Sequence, residues 1–216
     1  PDFKYTKAPR GYVPFYMSHY DRHGSRWLID PNSYTNVINP LLKAHEEDKL
    51  TSLGERTLNQ LKCFEKTTHK RFGDLTTVGE RQHRGIGKRI AQHFPEIFLT
   101  KGLAIDARST TVNRCILSLI AECEELMQAN PTAIIHNEAN EANMAYMNAP
   151  KDGLMRANEG KARPIQNEWS AKMRDPRRLM KVLFSDQDWV YMNAMPTTLY
   201  GSIYDIATNQ QSHNND

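Results

Sequence analysis

The stretch Tyr12-Val-Pro-Phe-Tyr-Met-Ser-His-Tyr-Asp-Arg-His-Gly-Ser-Arg-Trp27 constrains this chain more than any other. Its aromatic and apolar first half predicts a buried strand over residues 12–19. Gly24, just beyond, predicts a tight turn. A buried strand needs a sheet around it, which points to an α/β fold. In open α/β sheets, ligands bind outside the carboxyl ends of the strands. There the chain places Arg22, His23, Ser25 and Arg26. Two guanidinium forks suit a tetrahedral oxyanion such as phosphate. An imidazole between them can act as nucleophile or base.

The following segments supply the alternation that such a sheet requires. Residues 32–48 read as a helix interrupted by Pro40. Ser52 with Glu55, and Thr77 with Glu80, have the spacing of capping boxes. The first opens a helix with Leu58, Leu61 and Phe72 on its apolar face. The second opens a basic helix on which Ile86 and Ile90 stack. A strand over residues 102–107 runs into Arg108, a third guanidinium at a strand end, and then into a helix start at Ser109 or Thr110. Val112, Cys115, Ile116, Leu119, Ile120, Cys123 and Met127 give that helix the most regular apolar period in the chain. A further strand covers residues 132–135, and His136-Asn-Glu138 after it could pass for an acid/base pair in a loop. Residues 137–164 are polar and aperiodic, 165–184 are helical with a break near Pro176, and a last helix opens at Pro196. The tail from Asn209 offers no core residue. The division expected is an α/β core portion over residues 1–136 and a mostly helical portion over 137–216.

Net charge is +3 over 216 residues, far from the concentrated basic stripe of a nucleic-acid binder. No apolar run is long enough to span a membrane. Cys63, Cys115 and Cys123 form no disulfide framework and read as small buried apolar residues. No Cys/His cluster or paired carboxylate set indicates a metal. No glycine-rich loop indicates a nucleotide cofactor. His83, on the basic helix, reads as a structural histidine.

Arg22-His-Gly-Ser-Arg26 resembles the signature of the histidine phosphatases, in the acid phosphatase and phytase branch. The wider stretch from Gly11 to Trp27 is similar to secreted Bacteroides-type members near the multiple inositol polyphosphate phosphatases. Leu75-Thr-Thr-Val-Gly-Glu-Arg-Gln82 resembles the family's Leu-Thr-x-x-Gly-x-x-Gln helix start. Ala107-Arg-Ser-Thr-Thr resembles its later arginine-bearing strand end. The resemblance implies a phosphoglycerate-mutase-like α/β sandwich, incomplete in this chain, with a helical insertion. It implies a phosphomonoester hydrolase that works without a cofactor or metal. His23 would take the phosphoryl group, Arg22, Arg26 and Arg108 would hold its oxygens, and Ser25 and Trp27 would contact the substrate. The partner would be a small phosphorylated molecule, inositol phosphates included, and the location periplasmic or secreted. Two other functions stay open: capture of phosphorylated ligands without turnover, and a phosphoryl-transfer mutase. The family's second histidine and acidic donor, a His-Asp or His-Ala-Glu motif near the C-terminus, is not found here. His136-Asn-Glu138 comes too early and is spaced differently. The chain is therefore expected to be an N-terminal portion, able to bind phosphate but turning it over very weakly.

Overall fold

The computed structural model describes residues 6, 8–147 and 153–213. In chain order its elements are α1 (Asn32–Glu46), α2 (Ser52–Thr68), α3 (Thr77–His93), the single turn α4 (Pro95–Phe98), β1 (Ala104–Ser109), α5 (Asn113–Ala129) and β2 (Ile134–Ala139). After β2 come α6 (Met144–Met147), α7 (Gly153–Met173), α8 (Arg177–Leu183), α9 (Gln187–Asn193) and α10 (Pro196–Asn209). Helices dominate, and among the described residues β1 and β2 form a small parallel sheet. No helix among them is long and apolar enough to cross a membrane. The chain divides into two compact units interleaved in sequence. One comprises Pro1–Ser25 with Leu75–Asn148, the other Arg26–Asp74 with Ala149–Asp216. A division at residue 136 follows sequence character, whereas the contact-defined units part inside the Arg-His-Gly-Ser-Arg turn.

The second unit is helical. Tyr34, Val37, Leu41, Leu58, Met180 and Val190 are each at most 2% exposed in its core. Tyr34, Val37, Ile38 and Leu41 repeat at i, i+3, i+4 and i+7, so α1 keeps an apolar face despite Pro40 in its interior. The cap of α2 is Thr51, whose hydroxyl accepts the Gly54 N–H at 3.1 Å. The cap thus lies one residue before the expected Ser52, and Gly54, not Glu55, sits three residues into the cap. The reason is a close approach. A Cβ on Gly54 would lie 2.2 Å from the Leu183 carbonyl oxygen, and that oxygen accepts the Thr51 N–H at 3.0 Å. Phe72, expected on the α2 face, lies past the helix end and is exposed. Cys63 is exposed too, because it points off the buried stripe of α2. The tail contributes more than expected: Ser212 and His213 are buried.

The first unit is built on α3 and α5 beside the two strands. Strand pairing runs from Ala104 opposite Ile134 to Ser109 opposite Ala139. Both strands reach further along the chain than expected, so Arg108 and the trio His136, Asn137 and Glu138 lie within strands. The buried residues of α3 are Gly79, His83, Gly87 and Ala91, a stripe at four-residue spacing. Ile86 and Ile90 are not the deepest residues of that helix. A Cβ on Gly87 would lie 2.6 Å from the Glu122 carbonyl oxygen, so α3 and α5 approach through small residues. On α5 the buried positions are Ser118, Ala121, Cys123 and Leu126. Ile120 and Met127, from the expected apolar stripe, are exposed.

The expected strand over residues 12–19 is absent. Residues 12–24 take no regular secondary structure, and Tyr12, Val13, Phe15 and Tyr16 are 73–90% exposed. A strand persists only if its backbone polar groups find a ladder. In the described residues β1 pairs with β2, and neither pairs with this run. Met17 alone of its apolar side chains packs against the small core of Ala91, Ile97, Phe98 and Leu126.

Candidate functional site

The Arg22–Ser25 turn is held by backbone and side-chain contacts from two helices. The Arg22 carbonyl oxygen lies 3.1 Å from Nε2 of His83 on α3. The Gly24 N–H donates to Oγ of the buried Ser118 on α5 at 3.0 Å. The Ser25 N–H donates to Oε1 of Gln82 at 2.9 Å. The Ser25 carbonyl accepts twice from Thr76, from its N–H at 3.0 Å and its hydroxyl at 3.1 Å. Thr76 is also the N-cap of α3, taking the Gly79 N–H at 3.1 Å. The cap is therefore Thr76 and not the expected Thr77. Gly24 acts by close approach: a Cβ there would lie 2.4 Å from the Gly79 carbonyl oxygen. The turn is seated on the first turns of α3, where Thr76, Gly79, Gln82 and His83 share one side.

Within this seat His23 is half-buried and its Nδ1 lies 2.8 Å from the Gly24 carbonyl oxygen. A carbonyl only accepts, so Nδ1 carries the proton of the neutral ring and the lone pair resides on Nε2. In that tautomer Nε2 is the nucleophilic nitrogen. The Arg22 side chain is exposed beside it.

The other predicted site residues are distributed differently. Arg26 and Trp27 belong to the second unit. Arg26 donates from Nη1 to the Trp27 carbonyl at 2.9 Å. Trp27 packs within the second unit. It is 5% exposed, stacks on His213 at a ring distance of 3.8 Å and lies under the Arg71 guanidinium. Arg108, in the first unit, pairs with Asp106 at 2.7 Å and Glu138 at 3.4 Å and reaches the Tyr146 hydroxyl. Two carboxylates thus occupy the fork that a phosphate would use. His136, beside Asp106 at 3.7 Å, is exposed.

A second group of ionisable residues lies directly behind the turn, and spacing along the chain hides it. Nδ1 of His83 faces Glu122 at 3.2 Å and Asp21 at 3.4 Å. Nδ1 of His19 faces the other Glu122 oxygen at 3.0 Å. Burial raises the Glu122 carboxyl, but its bonds to His83 and His19 and their charges hold it below the ordinary value. Burial, and then the charge of Glu122, push Asp21 above its ordinary value. Side-chain atoms of His19, Asp21 and Glu122 lie within 4.8 Å of one another and pair among themselves. Only the Leu75–Gln82 segment carried a signal for the supporting residues. His83, Ser118 and Glu122 had none beyond being polar residues on amphipathic helices.

No protein-family model and no curated protein matches the chain. Among solved structures, the fold matches the Bifidobacterium longum multiple inositol polyphosphate phosphatase in complex with inositol hexasulfate. The TM-score is 0.71 at 13% identity, covering 98% of this chain and 59% of that one. The same enzyme in complex with phosphate aligns at a TM-score of 0.49 and 25% identity, over 58% of this chain and 26% of that one. The first of these shows a shared fold, of which the chain spans 59% of the longer protein's length.

Proposed function

We propose that the chain is part of a phosphomonoester hydrolase of the histidine acid phosphatase type, with inositol phosphates as its substrate class. The observation that carries this is the position of His23 Nδ1, 2.8 Å from the Gly24 carbonyl oxygen, a geometry in which the neutral ring has its lone pair on Nε2. The shared fold with a phosphatase crystallised with inositol hexasulfate supports it. The Nε2 lone pair attacks phosphorus, forming an N–P bond as the P–O bond to the alcohol breaks. Water then attacks phosphorus, the N–P bond breaks, and His23 is restored with release of phosphate. Arg22 binds phosphoryl oxygens, and Arg108, in the same unit, joins it by exchanging its carboxylate partners for phosphate. Such transfer depends chiefly on positioning and charge stabilisation. Departure of an alcohol also requires a proton from a general acid.

The engagement of Arg108 by Asp106 and Glu138 favours a second reading, capture of phosphorylated ligands without turnover. Titrating inositol hexakisphosphate while assaying released phosphate separates the two. Binding with release supports the hydrolase and binding alone supports capture. Absence of binding would sink both.

A further inference from the structure

His83 lies in the middle of α3, 2% exposed, with oxygen atoms facing both of its ring nitrogens. The Arg22 carbonyl is 3.1 Å from Nε2, while the Glu122 and Asp21 carboxylates are 3.2 Å and 3.4 Å from Nδ1. A neutral imidazole has a single N–H, so one of its lone pairs would point at an oxygen. The imidazolium has a donor for each side.

We propose that His83 is a positioning residue of the turn: as an imidazolium held by Glu122 and Asp21, it donates Nε2–H to the Arg22 carbonyl and fixes the backbone from which Arg22 and His23 project. The value of that arrangement rests on the phosphate-binding reading of the turn. The geometry is local and complete. Asp21 and Arg22 face the ring from the segment before the turn, Glu122 faces it from α5, and His19 faces the other Glu122 oxygen. Burial pushes the His83 pKa down, but the Glu122 hydrogen bond and the charges of Asp21 and Glu122 outweigh it and hold the pKa above the ordinary 6.5. Once pH rises through that raised value, the ring keeps one proton and must release either the carboxylates or the Arg22 carbonyl.

The full 216-residue chain, labelled with ¹⁵N, tests this by nuclear magnetic resonance across pH. Both His83 ring nitrogens should stay protonated beyond pH ~6.5, the free-histidine value. The His23 and Gly24 amide signals should shift with the same midpoint in the wild type and lose that step in His83→Gln. In Glu122→Gln the midpoint should fall, and inorganic phosphate should bind about tenfold more weakly at neutral pH, the loss expected for one charge-assisted hydrogen bond. A ring already neutral below that pH, including one neutral beside a protonated Asp21, would overturn the proposal. So would amides at His23 and Gly24 that ignore the titration, or unchanged phosphate affinity in Glu122→Gln. If both ring and amide results come out as expected but the wild type binds no phosphate, the clamp stands and the phosphate reading of the turn falls.

Discussion

Gly79 holds more of the turn's geometry than its place near the start of a helix suggests. A Cβ there would lie 2.2 Å from the Ser25 carbonyl oxygen, and backbone cannot step aside as a flexible side chain can. Gly79→Ala should cost ~2–3 kcal/mol through overpacking. Gly201→Ala, in α10 with open space around it, should stabilise by roughly 0.5–1 kcal/mol. Urea unfolding of the two variants checks the contrast, and equal effects would contradict the close approach. Thr76→Ala, which removes a helix cap along with a bond to Ser25, should cost ~1–2 kcal/mol in the same assay. The ionisable cluster sets the pH dependence. The Glu122 carboxyl is lowered, so its contribution is present above the ordinary value of 4.5 and is lost as pH falls through the lowered one. The His83 imidazole is raised, so its contribution is present below 6.5 and is lost as pH rises through the raised value. Asp21 is raised and works against the fold as it ionises. Glu122→Gln should therefore lower Tm most between these two ordinary values. A loss in Tm independent of pH would contradict the ion pairing. At this scale Arg22, His23 and Arg26 stand out in the sequence because charge so dense after an apolar run is conspicuous. The burial of Trp27 was not legible, because it depends on His213 far along the chain.

At the scale of elements, helices were legible wherever large apolar residues set the period, as in α1 and α2. The α3–α5 contact was not, because its buried stripe is Gly79, His83, Gly87 and Ala91, residues that hydrophobic periodicity passes over. Both cap positions were missed by one residue for a related reason. Gly54 and Gly79 sit three residues into their caps so that a carbonyl can approach, and the glutamates beside them only mimic a capping box. The strand over residues 12–19 failed for another cause: β propensity reports fit to a sheet, and that run has no ladder in the described structure. With Phe15 90% exposed, chymotrypsin should cleave first between Tyr12 and Tyr20, and mass mapping of early fragments would show it. First cleavage inside α2 or α10 would contradict the exposed state of this run.

For the whole molecule, the alternation of strands and helices led correctly to a mixed α and β chain with a parallel sheet. The interleaving of the two units was not legible, because residues 26–74 join residues 149–216 through contacts distant in sequence. The shared fold covers 59% of a longer protein, so the proposed attack by His23 is tested on its own half-reaction. An aryl phosphate has a leaving group that departs without protonation, so attack by His23 needs no general acid from elsewhere. The decisive measurement is an alkaline quench of the chain after mixing with a ³²P-labelled aryl phosphate, followed by mapping of the labelled peptide. Acid-labile phosphate is expected on His23, formed together with a burst of the phenol and absent in His23→Ala. No label, or the same label in His23→Ala, would contradict it.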